Sequence, residues 1–279
     1  MDLGLDNRVA LIAGGSSGLG LAAARELARE GAHVAIGARD RDRLAVAERA
    51  IGEVARGRVH ASSVDLTDRS ATRGWVDRVA ADFGALHIVL AGGAGPAIGS
   101  ATQFDVSEVR SAMDVVVLPA VNLALSALPH LRAAGWGRLL FVASETASVP
   151  IARLALSGMT RAAMVRFAQS LAAEVGRDGI TVNVLAPGTT RTPPVERAAA
   201  KLAGAGASQA AIEARLHAMG EHSAVGRLGR PEEFAAMAAF LSSARADFIT
   251  GVVHLIDGGA SVTDVLLPHL TGVGKDTFT

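Results

Sequence analysis

The first chemistry in this 279-residue chain lies in its glycines. The run Gly14-Gly15-Ser16-Ser17-Gly18-Leu19-Gly20 follows a short apolar stretch and opens a helical pattern, the setting in which spaced glycines hold a dinucleotide. With no side chains at Gly14, Gly18 and Gly20, the backbone can turn tightly and approach a pyrophosphate. Free N–H groups and the dipole of the helix beginning near Gly18 favour negative charge there. Ser16, Ser17 and Leu19 complete the expected cradle. The alternative, a glycine-rich turn that binds nothing, leaves three structure-weakening residues without compensation. At the end of the second apolar run the sequence reads Gly37-Ala38-Arg39-Asp40. Arg39 is the first side chain able to reach the ribose, and a guanidinium there suits the 2′-phosphate of NADP. A solvated arginine would read the same, so NAD stays open. Asp40 reads as the cap of a helix starting near Arg41.

Other chemistries are excluded by composition. The chain has no cysteine, which removes disulfides, thiolate nucleophiles and cysteine-ligated zinc, and it has no tyrosine. The histidines His33, His60, His87, His130, His254 and His269 lack ligand spacing, so no metal site is expected. With 27 basic and 27 acidic residues the formal net charge is zero, which offers no field for nucleic acid or an acidic membrane face. Asp2 and Asp6 precede an apolar run of only Val9 to Ala13, so neither a signal peptide nor a membrane span is expected there, and the reading is cytoplasmic.

These residues need elements to position them. Short apolar runs at 9–13, 33–37, 59–63, 88–91, 138–143, 181–185 and 252–256 read as buried parallel strands. Helical patterns at 19–30, 41–55, 68–83, 106–134, 154–176 and 231–243 alternate with them. The alternation predicts an α/β fold: one Rossmann-type, doubly wound domain over residues 1–279, with a seven-stranded parallel sheet and helices on both faces. The stretch 188–230 follows a strand's carboxyl end and is expected to be a substrate lid, helical over 195–207. Residues 262–279 form a C-terminal extension. The apolar stripe over 109–131 is expected to pack against the sheet or a partner subunit.

With these elements in place, the chain resembles the short-chain dehydrogenase/reductase family from about Asp6 to Ser261. The glycine loop is similar to the family's Thr-Gly-x-x-x-Gly-x-Gly, with Ala13 for the threonine. Val64-Asp65-Leu66-Thr67-Asp68 resembles the segment that meets the adenine. Pro187-Gly188-Thr189 resembles the loop beside the nicotinamide. Gly226-Arg227-Leu228-Gly229-Arg230-Pro231-Glu232-Glu233, Ile249-Thr250-Gly251 and Asp257-Gly258-Gly259 resemble its C-terminal signature. Ala91-Gly92-Gly93-Ala94-Gly95-Pro96 and Gly135-Trp136-Gly137-Arg138 look most like a branch labelled 3-oxoacyl-carrier-protein-reductase-like. The resemblance implies a cofactor set of Gly14, Ser16, Ser17, Gly18, Leu19, Gly20, Arg39, Asp65, Leu66, Gly92, Arg161, Pro187, Gly188 and Thr189. It also implies a homo-oligomer, dimer or tetramer, and a small-molecule substrate.

The family's tetrad of Asn, Ser, Tyr and Lys is matched only at Ser144. The tyrosine position reads Ser157, the lysine position Arg161 and the asparagine position Val116. Ser157 and Arg161 stand i and i+4, on one helix face. An aliphatic hydroxyl lacks a phenol's acidity and arginine stays protonated, so Ser157 is a poor general acid. The catalytic set is then Ser144 and Ser157 as hydrogen-bond donors to a carbonyl oxygen, with Arg161 holding the ribose and stabilising negative charge. The proton must come from water, substrate or another residue. Candidates are Glu145, which reads as a solvated loop carboxylate, and His217 and His222 of the lid. Three functions follow: NADP-dependent reduction of a carbonyl, a non-redox lyase, isomerase or cyclase reaction in the same pocket, or a cofactor-binding partner subunit without chemistry.

Overall fold

The computed structural model describes residues 2–263. Seven apolar runs form strands β1 (Val9–Ala13), β2 (His33–Ala38), β3 (Val59–Ser63), β4 (Ile88–Ala91), β5 (Gly137–Val142), β6 (Ile180–Pro187) and β7 (Val253–Ile256). All pair in parallel in the order β3-β2-β1-β4-β5-β6-β7. β1 lies between β2 and β4, with Ala10 opposite both Val34 and Ile88. The winding reverses between β1 and β4, so the loops leaving their carboxyl ends diverge and open a crevice. β3 and β7 depart from the expected burial. Each is an edge strand with a neighbour on one side only, and both are half-exposed.

The helices are α1 (Gly18–Arg29), α2 (Arg41–Gly52), α3 (Arg69–Phe83), α4 (Val106–Ala112), α5 (Leu118–Ala133), α6 (Ala155–Val175), α7 (Pro193–Ala203), α8 (Gln209–Gly220) and α9 (Pro231–Leu241). Side chains alternate across a strand, which assigns the two cores. Val9, Leu11 and Ala13 of β1 pack with Trp75 of α3, Leu123 of α5 and Met164 of α6. Ala10 and Ile12 pack with Leu27 of α1, Leu44 of α2 and Phe234 of α9. Local signals fix the helix starts: Asp40 accepts from Arg43 N at 3.0 Å, and Asp68 accepts from Ser70 N and Ala71 N at 2.8 and 2.9 Å.

The helical pattern at 106–134 is one continuous helix, Val106–Ala133, with a π-helical turn at Met113–Val117 joining α4 to α5. Pro119 lies just beyond it. Proline has no N–H to give and its ring would crowd the carbonyl one turn back, so a widened turn there relieves the conflict. This helix is long and apolar enough to cross a membrane, yet half of its apolar window is buried inside the protein, as in a core helix.

Between β6 and α9 the expected helix is found as α7, and α8 was not foreseen. Apolar residues of α8 are spread around its circumference, so no stripe signals it in sequence. His269 and the extension beyond Thr263 lie outside the described residues.

Candidate active site

The crevice at the β1–β4 switch is a cleft of about 670 Å³. Its wall contains Gly14, Ser16, Ser17, Gly18, Leu19, Gly20, Arg39, Asp65, Leu66 and Gly92, all expected from sequence. Gly14 and Gly18 have φ of +72° and +55°, the left-handed region that side chains disfavour. A Cβ on Gly20 would collide with the Gly14 carbonyl. These glycines shape a bare backbone cradle at the start of α1, and the residues present therefore fit a dinucleotide pyrophosphate. Asp65 accepts from Thr67 N at 3.0 Å and Thr67 Oγ1 at 2.8 Å. Those bonds hold its carboxyl below the ordinary range, with the nearby Arg39 acting in the same direction.

The cleft includes residues that sequence reasoning missed. Val115 and Val116 enter its wall from the π-helical turn, and Thr192, Pro194 and Arg197 enter from the far side, out of the 188–230 segment. The π turn gave no sequence signal beyond Pro119. Val116, at the family's asparagine position, is buried and offers no hydrogen bond.

Ser144 leaves β5 and accepts from Thr146 N at 3.2 Å through its hydroxyl. Thr146 Oγ1 lies 3.0 Å from Ser157 Oγ on α6, so the buried Thr146 joins the two serines through its backbone and its side chain. Sequence reasoning passed over Thr146, whose only signal was its place two residues after Ser144. Arg161 lies one turn beyond Ser157 on α6. Its Nη1 donates to Val142 O at 3.0 Å and its Nη2 to Ala94 O at 3.3 Å, while its buried Nε has no partner. Both carbonyls belong to residues in the cleft wall. Burial lowers Arg161 to about 10, which leaves it charged near neutrality. Among the described residues no carboxylate pairs with it.

Glu145 corrects its expectation. It is not a solvated loop carboxylate but is only 9% exposed. Burial, and then the Asp257 carboxylate, push it up to about 7. Asp257 remains the ionised partner: burial acts to raise it, but Ser261 N and Gly259 N, each at 2.9 Å, hold it below the ordinary range. A Cβ on Gly188 would lie 2.8 Å from Glu145 Oε2 and 2.7 Å from Asp257 Cβ, so only glycine fits this turn. Pro187, Gly188 and Thr189 thus stand at the end of β6 beside Glu145 and outside the cleft wall. The chain returning from α8 reaches the loop after β7 that carries Asp257, where Val225 N donates to Gly258 O at 3.2 Å. His217 is exposed, 3.6 Å from Glu221, and His222 is exposed too, so neither is brought to the serines.

Comparison with known proteins agrees with this geometry. A family profile described as enoyl-(acyl carrier protein) reductase matches residues 13–261. The cis-4-hydroxycyclohexanecarboxylate dehydrogenase of Sinomonas cyclohexanicum is 35% identical over 257 residues, which span 90% of this chain and 96% of that one. The D-beta-hydroxybutyrate dehydrogenase of Cupriavidus necator is 28% identical over 91% of this chain and 98% of its own length. L-sorbose reductase from Gluconobacter frateurii, solved with NADPH and L-sorbose, is 32% identical and superposes with a TM-score of 0.89, covering 94% of this chain and 100% of its own. Sharing its sheet and nearly its whole length with such oxidoreductases, the chain belongs to the short-chain dehydrogenase/reductase family.

Proposed function

We propose that the protein reduces a carbonyl compound with NADPH, using an active site in which Ser157 and Arg161 stand where the family carries tyrosine and lysine. The cleft supports this most directly, since its glycine cradle and Arg39 suit a dinucleotide bearing a 2′-phosphate. The likeness to an L-sorbose reductase complexed with NADPH supports the same cofactor. That cofactor supplies a hydride when bound. Ser144 and Ser157, ordered through Thr146, donate hydrogen bonds to the carbonyl oxygen. Arg161, fixed on two carbonyls and free of any described carboxylate, stabilises the negative charge that develops on that oxygen. Of the three candidate proton sources, Glu145 is the buried one, adjacent to Ser144 and protonated over part of the neutral range. Pro187, Gly188 and Thr189, which lie beside Glu145 just outside the cleft wall, would meet the nicotinamide end where the cofactor reaches past that wall, and residues 188–230 would act as the lid.

The relatives' names point toward small ketones such as cyclohexanone carboxylates and ketoses. A panel of these, with quinones and oxoacyl thioesters, tests the reading through substrate-dependent loss of NADPH absorbance. No oxidation above background, with NADPH binding confirmed, overturns it. The complete absence of tyrosine favours one second reading, a lyase, isomerase or cyclase with the serines and Arg161 as an oxyanion site. Product formation without net change in cofactor supports that reading, and strictly stoichiometric NADPH consumption removes it. An inactive partner subunit would bind NADPH and turn over neither class. The homo-oligomer and the cytoplasmic location remain part of this proposal.

A further inference from the structure

We infer that Arg197 on α7 is a latch for the cofactor pyrophosphate, so that cofactor binding closes the 188–230 segment over the cleft. The inference rests on the dinucleotide reading of that cleft and adds a contact from its far wall. The start of α7 already touches the glycine cradle: a Cβ on Gly18 would lie 3.5 Å from Thr192 Cγ2 and 3.9 Å from Pro193 Cδ. Arg197 follows Pro193 by four residues, so it projects from the face of α7 that meets the cradle. It lines the cleft together with Ser17, Gly18 and Thr192.

Charge distinguishes Arg197 from its neighbours. Arg191 is matched by Glu196 at 3.1 Å and by Glu213 at 2.7 Å. Arg227 is matched by Glu233 at 2.6 Å. Among the described residues no carboxylate lies within ion-pair distance of Arg197, and it shares the cleft wall with Ser17, Gly18 and Leu19, where α1 opens. A pyrophosphate between them would receive backbone donors from one side and a forked guanidinium from the other. Because Glu196 belongs to α7 and Glu213 to α8, Arg191 ties the two helices together. A pull on α7 is thus transmitted to α8, and the segment closes as one piece.

The test is equilibrium binding of NADPH and of NADH to wild type, Arg197→Met, Arg197→Lys and Lys201→Met, followed by ligand fluorescence. Hydrogen exchange over 193–220, with and without NADPH, is the second readout. Lys201→Met removes a charge from the same helix outside the cleft wall and is expected to bind as wild type. Arg197→Met is expected to weaken NADPH and NADH by the same factor, on the order of ten-fold, with Arg197→Lys intermediate. NADPH should slow exchange over 193–220 in wild type and lose that effect in Arg197→Met. Binding of Arg197→Met within two-fold of wild type overturns the latch. Weakening of NADPH alone overturns it too, because Arg197 then reads the 2′-phosphate. Failure of wild type to bind either dinucleotide overturns the reading of the cleft itself.

Discussion

Glu145 binds its proton more tightly when folded than when unfolded, rising from an ordinary 4.5 to about 7. Its contribution to stability is therefore complete below pH 4.5 and is lost as pH climbs through 7. Glu145→Gln should be more stable than wild type at pH 8.5 by roughly 1–3 kcal/mol, and the two should converge near pH 4. Matched thermal melts at both pH values check the sign. In catalysis the expectation is opposite: if the protonated acid feeds the carbonyl oxygen, the reductive rate falls above pH 7 in wild type. In Glu145→Gln that rate should be low and lack the ionisation, with cofactor affinity unchanged. Arg161→Met should strand the Val142 and Ala94 carbonyls and cost about 1–3 kcal/mol of stability beside its loss of activity. Arg161 was legible because it shares a helix face with Ser157. The burial of Glu145 was not, because Asp257 and Gly188, which pack against it, come from distant parts of the chain and meet it only after β5, β6 and β7 align.

Elements were readable where a local rule acts alone. The central strands are continuous apolar runs, and Asp40 and Asp68 mark helix starts by side-chain bonds to the first turn. Three features depend on more than local pattern. β3 (Val59-His60-Ala61-Ser62-Ser63) and β7 (Val253-His254-Leu255-Ile256) carry polar residues among their apolar ones and are half-exposed at the sheet edges, which the strand order alone reveals. The helix α8 has no apolar stripe. The π turn resolves a conflict around Pro119 and, in doing so, carries Val115 and Val116 into the cleft. Deleting Asp114 should restore an ordinary helical register, rotate Val116 out of the wall by about 100° and weaken NADPH binding several-fold, measured by fluorescence titration. Gly20→Ala, which drives a methyl group into the Gly14 carbonyl, should lose cofactor binding and about 2 kcal/mol of stability by denaturant titration.

At the scale of the molecule, strand order places the cleft: the winding reverses between β1 and β4, and ligand-binding loops collect on that edge. The proposed homo-oligomer also belongs to this scale. Leu118 and Leu125 stand two turns apart on one face of α5, 51% and 50% exposed. Replacing both with lysine should shift the protein to monomer on size exclusion if that face is the interface. An unchanged elution volume would place the contact elsewhere or remove it. Sequence composition foresaw an electrically balanced chain but could not place the return of the 188–230 segment onto the loop after β7. There Val225 holds Gly258, the neighbour of Asp257, and Asp257 adds to the burial that raises the proton affinity of Glu145. If the segment opens as proposed, its position and the protonation of Glu145 become two variables of one equilibrium. By reciprocity, whatever amount opening shifts the affinity of Glu145 for its proton, ionisation of Glu145 must shift the opening equilibrium by the same free energy. If Glu145 is the proposed proton source, turnover that empties and refills it would then act as a clock on the door.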